Sequence, residues 1–147
     1  MTDLSTGTIS SLFTDIESIT KLWDAHPDAM RVALVRHDVL LRAAIVGANG
    51  FVFKTAGDAF CAAFATAAEA LAAALDSQAA PHAEHWPDAL SLRVRMALHT
   101  GTAELRDNDY FGHPALCTKK RRLVAAASMA TDPRRTVFCI TPLSVLV

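Results

Sequence analysis

Residues 51–64 constrain the fold more than any other part of the chain. Phe51-Val52-Phe53-Lys54-Thr55 alternates with the period of a half-buried strand. Ala59 to Phe64 is a second apolar run, and only Ala56-Gly57-Asp58 lies between the two. A three-residue connection centred on glycine is a tight reversal. The two runs therefore form an antiparallel hairpin with Asp58 at its tip.

The segments on either side supply partners for this hairpin. Thr6 to Ile9 leads into a first strand over roughly residues 8–14, which ends on Asp15 within Phe13-Thr14-Asp15-Ile16-Glu17. A helical region opens near Ser18, and Pro27 marks the first turn of a longer helix. Met30, Ala33, Leu34, His37, Leu41, Ala44 and Ile45 recur at steps of three and four, which is one apolar helix face. His37 lies on that face and reads as a core histidine in preference to a ligand. Gly47 and Gly50 end the helix.

After the hairpin, Thr66 caps an alanine-rich helix to about Ala79, and residues 80–90 read as a loop. His82 and His85 in that loop read as solvated surface in preference to a metal site. Leu92 to His99 alternates again as a strand, with a turn expected at Gly101 and an extended piece from Thr102 to Leu105. Residues 106–112 read as a polar loop and Pro114 opens a helix to about Met129. Thr136 to Ile140 is a last strand, and Thr141-Pro142 begins a final helix. The order is β-α-β-β-α-β, an α+β ferredoxin-like plan: an antiparallel-rich sheet with helices on one face. Residues 1–147 are expected to be a single domain.

Composition narrows the partners. The formal net charge of -1 leaves no electrostatic footprint for a nucleic-acid polymer or an anionic membrane. No apolar run reaches the ~18 residues of a membrane span, and the N-terminus lacks a basic-then-apolar leader. Cys61, Cys117 and Cys139 have no ligand-like or paired spacing and read as buried thiols in a reducing compartment. The expected location is cytoplasmic.

In a sheet of this plan the first strand lies beside the hairpin, so Asp15 and Asp58 meet. Each acid has a simpler use, Asp15 as a helix cap and Asp58 as a turn residue. Two adjacent carboxylates repel unless divalent cations sit between them. A cation pair ~3.5–4 Å apart is the usual device for in-line displacement at phosphorus. Lys54, four residues before Asp58, adds positive charge on the same hairpin.

Three segments together resemble the catalytic domain of class III nucleotidyl cyclases, especially small bacterial adenylate cyclases. They are Phe13-Thr14-Asp15-Ile16-Glu17 with Lys21-Leu22-Trp23, Phe53-Lys54-Thr55-Ala56-Gly57-Asp58-Ala59-Phe60, and Arg93-Val94-Arg95-Met96-Ala97-Leu98-His99-Thr100-Gly101. The resemblance runs from residue 6 to about 112. It implies that Asp15 and Asp58, assisted by the Ile16 carbonyl, hold two Mg²⁺ or Mn²⁺ ions. Backbone N–H groups after Asp15 would cradle the triphosphate of ATP, with Phe13, Thr14, Glu17 and Ser18 lining that site and Arg95 on the phosphates. Lys54 would reach the adenine ring of a nucleotide bound by a partner subunit, and Asp109 would accept the adenine amino group. A lysine donor and a carboxylate acceptor suit N1 and N6 of adenine, whereas guanine presents the opposite polarity. The resemblance implies a homodimer with shared sites that converts ATP to cyclic AMP and pyrophosphate.

The pattern departs from the family after Gly112. Relatives carry an asparagine and, four residues on, an arginine, which orient the ribose and stabilise the developing charge. Here the run is Gly112-His113-Pro114-Ala115-Leu116-Cys117-Thr118-Lys119-Lys120-Arg121-Arg122-Leu123, without asparagine. With Arg122 in the arginine place, Thr118 takes that of asparagine. In the shorter alignment the two places hold Leu116 and Lys120. Lys119 to Arg122 also reads as a solvated basic helix face. Ser18 stands where relatives often carry glycine, and the closing strands of such domains are expected to be truncated. The competing reading is a cyclase-fold nucleotide-binding or regulatory domain with little turnover. A diguanylate cyclase is set aside because its Gly-Gly-acidic-acidic-Phe hairpin is absent.

Overall fold

The computed structural model describes residues 7–106, 109–111 and 136–140; for residues 89, 102–106, 109–111 and 136–140 it describes the backbone only. The expected helix from Pro114, with Thr118 and Arg122, and the helix expected at Thr141 lie outside the described residues.

Strand β1 spans Gly7–Ile16 and is followed by the short helix α1 (Ile19–Ala25) and the long helix α2 (Pro27–Gly47). The hairpin is β2 (Phe51–Ala56) and β3 (Ala59–Phe64), and α3 (Ala67–Ala83) follows. A 3-10 turn at Pro87–Ala89 leads to β4 (Val94–Arg106), β5 (Asp109–Phe111) and β6 (Thr136–Ile140). The sheet order is β2-β3-β1-β4, with every ladder antiparallel. β6 pairs with Met96–Thr100 of β4, and β5 with its far end, Glu104–Arg106. This is the ferredoxin-like plan expected from the sequence, with the last strand at Thr136–Ile140 as expected and β5 added.

Both long helices lie on one face. Leu41 and Ile45 of α2 and Ala70, Ala73 and Ala74 of α3 pack on Leu12, Phe60, Ala62, Phe64, Val94, Met96 and Leu98 of the sheet. The alanine stripe of α3 lets that helix approach closely, and Gln78 on the same helix donates to the Val94 carbonyl at 2.6 Å. Burying each large side chain here contributes about 1.5–3 kcal/mol. Buried hydroxyls in the sheet satisfy one another, as in the 2.8 Å contact between Ser10 Oγ and Thr100 Oγ1. A second cluster joins Ile16 to Met30, Ala33, Leu90 and Leu92, with Trp23 and Trp86 against it. It pins the end of β1, and with it the residue just before, Asp15.

Three elements differ from the sequence expectation. β4 runs straight through Gly101, because β1 pairs with it continuously from Gly7↔Ala103 to Ile16↔Val94. A Cβ on Gly101 would lie 2.7 Å from Cε1 of His99, so this glycine makes room for a ring and no turn. α3 continues to Ala83 through Pro81; so near the helix end, Pro81 removes a single intrahelical bond. Trp86 Nε1 donates to the Pro81 carbonyl, and Arg36 of α2 grips Glu84 through two bonds of 3.0 and 3.2 Å. Finally, part of the expected loop at 106–112 is β5, three residues long and too short to show alternation.

Candidate functional site

Asp15 is fixed by the pairing of β1, which reaches Thr14↔Phe60 on the β3 side and runs through Asp15 to Ile16↔Val94 on the β4 side. Residues directly opposed in a ladder project to the same face, and Asp15 opposes Arg95 on β4. Arg95 uses this placement to make a fork: Nε donates to Oδ1 at 2.7 Å and Nη2 to Oδ2 at 2.8 Å. These are the lengths of strong charge-assisted bonds. Asp15 and Arg95 remain partly exposed, at 23% and 25% of their side-chain surface.

The hairpin tip folds back onto the same strand end. Gly57 takes the left-handed conformation, φ 60°, that the reversal requires. Asp58 Oδ2 then accepts a hydrogen bond of 2.6 Å from the backbone N–H of Ile16, 42 residues earlier. The two carboxylates predicted to meet are thus adjacent. Glu17 follows, its N–H donating to the Arg93 carbonyl at 2.8 Å. Burial pushes the Asp15 carboxyl above the ordinary carboxylate range; Arg95 draws it back, while Asp58 and Glu17 push it further up. The Arg95 guanidinium is raised, chiefly by its hydrogen bonds to Asp15.

Ser18 caps α1 with φ 55° and ψ 33°, a left-handed conformation, and its side chain makes no capping hydrogen bond. The backbone shape at this position is one that glycine adopts without cost. Phe13 and Thr14 are interior: Phe13 is buried, and Thr14 Oγ1 accepts from the Phe60 N–H at 3.3 Å. The structure places both as supports of the strand end.

Lys54 reaches the site face through an irregularity that its sequence does not announce. Val52 pairs with Ala62, but Lys54 pairs with Cys61, so Phe53 is an extra residue, a β-bulge. In an unbroken register Lys54 would oppose Phe60, on the helix-packed face. With the bulge, Lys54, Cys61, Phe13 and Ala97 form one row across four strands. Asp15 and Arg95 lie two positions along on that same face. Lys54 is two strand spacings, about 10 Å, across the sheet from Asp15. The structure therefore brings Asp15, Asp58, Glu17 and Arg95 together and leaves Lys54 apart.

Asp109 is in β5, its backbone paired with Arg106; its side chain, like Thr118 and Arg122, lies outside the described residues. The sequence did not reveal the Asp15–Arg95 fork, although the alternation in β1 and β4 makes it readable once the register is known. The bulge at Phe53 leaves no local signal. His37, expected in the core, is fully buried, with Nδ1 2.9 Å from Asp38 Oδ1 and its ring tilted against Phe60. His82 and His85 are exposed.

The donor set fits a hard divalent cation. Carboxylate oxygens suit Mg²⁺ or Mn²⁺, and Asp58 uses one oxygen on Ile16, leaving the other as a donor. No group of three or more His, Cys, Asp or Glu side chains suited to a metal occurs among the described residues. Two carboxylates are nonetheless the usual complement for Mg²⁺, which takes its other ligands from water and substrate phosphate.

A ferredoxin-like sheet with paired acids at the junction of its first strand and hairpin defines the class of protein. Residues 2–108 match the adenylate and guanylate cyclase catalytic domain model, and the chain belongs to that family. An adenylate cyclase of Podospora anserina is 33% identical over 147 residues, covering 83% of this chain and 7% of that protein. An uncharacterized protein of Mycobacterium tuberculosis is 38% identical over 109 residues, covering 73% of this chain and 36% of the relative. The chain thus spans well under half the length of either. A structure of adenylate cyclase from Trypanosoma brucei in the monomeric state superposes with a TM-score of 0.70 at 26% identity, covering 74% of this chain and 65% of that one. No helix among the described residues is long and apolar enough to cross a membrane.

Proposed function

We propose that the domain is an adenylate cyclase that converts ATP to 3′,5′-cyclic AMP and pyrophosphate in a cytoplasmic homodimer. The observation that carries this reading is the 2.6 Å bond from Ile16 N–H to Asp58, which sets the second carboxylate beside Asp15. Asp15 and Asp58 would hold two Mg²⁺ or Mn²⁺ ions, with the Ile16 carbonyl assisting. Bound there, the cations would lower the pKa of the ribose 3′-hydroxyl and neutralise the departing pyrophosphate. The 3′-oxygen would attack the α-phosphorus of the same molecule as its proton passes to solvent, and the bond to the pyrophosphate oxygen would break.

The chain's own residues position the nucleotide. The N–H groups of Ile16 and Glu17 are engaged within the chain, so the phosphate cradle would begin at Ser18 and the first turn of α1. Arg95 would add charge on the phosphates. Lys54 would donate to N1 of adenine and Asp109 accept from the N6 amino group. The ~10 Å across the sheet between Lys54 and Asp15 supports base reading by a second copy. Arg122, with Thr118 on the same helix, would meet the charge that develops on the phosphate and orient the ribose.

The missing asparagine in residues 113–122 favours a second reading, a nucleotide-binding module with little turnover. Incubation of the purified chain with Mn²⁺ and ATP, and with GTP in parallel, separates the two. Cyclic AMP well above an Asp15→Ala control supports the cyclase. Bound ATP without product above that control overturns it in favour of the module.

A further inference from the structure

Arg95 is committed on both sides of the proposed chemistry: it would contact phosphate, yet its fork occupies both oxygens of Asp15. We propose that Arg95 and a divalent cation compete for Asp15, so that cation binding releases Arg95 and makes it available to the triphosphate. The inference rests on the reading of Asp15 and Asp58 as metal ligands and adds to it the group that sets cation affinity.

Three observations carry it. The fork uses Nε and Nη2 against Oδ1 and Oδ2, so a cation approaching either oxygen meets a guanidinium N–H already bonded there. A small dication sits about 2.0–2.1 Å from the oxygen it binds, and a full positive charge already on the same carboxylate repels it. Second, the Ile16 N–H donates to Asp58 Oδ2 and sets Asp58 beside Asp15, so both carboxylates and Arg95 share one site. Third, Asp15, Glu17 and Asp58 all act electrostatically on Arg95. Arg95 thus supplies to this acidic group the positive charge that a cation would otherwise bring. Its side chain is a quarter exposed and so is in contact with solvent. A permanent structural ion pair is the competing account, and it predicts the opposite response to loss of Arg95.

Mn²⁺ binding to the intact chain, measured by electron paramagnetic resonance without nucleotide, distinguishes these accounts. Arg95→Met is expected to bind Mn²⁺ roughly tenfold or more tightly than wild type, the factor for removing one charged competitor. Its melting temperature should fall in chelator and recover in Mn²⁺. Equal or weaker binding by Arg95→Met, with wild-type binding still lost in Asp58→Asn, overturns competition and leaves the metal site standing. No Mn²⁺ binding by wild type or by Arg95→Met overturns both. If Arg95→Met does not fold, the Nε–H resonance of Arg95 in wild type is followed during a Mg²⁺ titration. A shift toward the position of a solvated guanidinium supports release, and an unchanged resonance at saturating Mg²⁺ overturns it.

Discussion

Lys54 stands directly across from Cys61, one position out of step with the pairing of Val52 to Ala62 two residues earlier. The inserted Phe53 turns the lysine from the helix-packed side to the side that carries Asp15. A bulge beside a functional site commonly re-aims one side chain in this way. Lys54 is half-buried, on the edge strand of the sheet.

Lys54→Glu should therefore separate function from stability. Cyclic AMP formation from ATP is expected to fall by about 10²-fold, the usual loss when a positioned polar contact is reversed. The melting temperature should move little. A parallel loss of both would make Lys54 a structural residue.

Removing divalent cations with chelator should abolish product formation, and Mn²⁺ should restore it. Asp58→Asn keeps an oxygen that can accept from Ile16 but removes charge from the proposed cation site. Its activity is expected to drop ~10²-fold or more while the far-ultraviolet circular dichroism stays unchanged. Wild-type rates in Asp58→Asn would refute the assignment of Asp58.

Ser18 holds a left-handed backbone, φ 55°, without a capping bond in return. Ser18→Gly removes the Cβ strain of about 1–2 kcal/mol and loses part of that gain to the freer unfolded chain. A net stabilisation of roughly 0.5–1 kcal/mol is expected in urea unfolding.

Gly50 is required for space. A Cβ there would run into the ring of Phe64 and sit 2.8 Å from Cγ2 of Ile45, both in the core. Gly50→Ala should destabilise by about 1–3 kcal/mol through overpacking, read as a lower urea midpoint at unchanged slope.

His37 has one ring nitrogen bonded to Asp38, while its buried Nε2 has no partner among the described residues. A buried polar atom left unpaired costs about 1–3 kcal/mol, and an apolar side chain of similar shape removes the penalty. His37→Leu is expected to be neutral or stabilising by up to about 1 kcal/mol in thermal unfolding. A large destabilisation would show that the imidazole has a polar role.

Much of the architecture was legible from local patterns. The hairpin at residues 51–64, the face from Met30 to Ile45 and the helix cap at Thr66 each follow from spacing and residue type. Thr66 does accept from the Glu69 N–H, at 3.2 Å. The straight course of β4 through Gly101 was not legible, because its cause is a ten-residue ladder with β1 and not anything local to Gly101.

The division at the site has the same origin. The sequence by itself determined which chemistries were present: an acid ending the first strand, an acid at the hairpin tip, a lysine on the hairpin and an arginine in β4. It also determined the order of elements from β1 to β4, since periodicity and turn residues are properties of neighbours along the chain. Only the tertiary structure decided that Ile16 N–H holds Asp58, that Arg95 grips Asp15 and that a bulge swings Lys54 onto their face. Those facts depend on register, and a shift of one residue turns every side chain of a strand to the other side. Register is held by packing of Leu12, Phe60 and Met96 against Leu41, Ile45 and Ala73 of the helices, residues remote along the chain from Asp15 and Arg95.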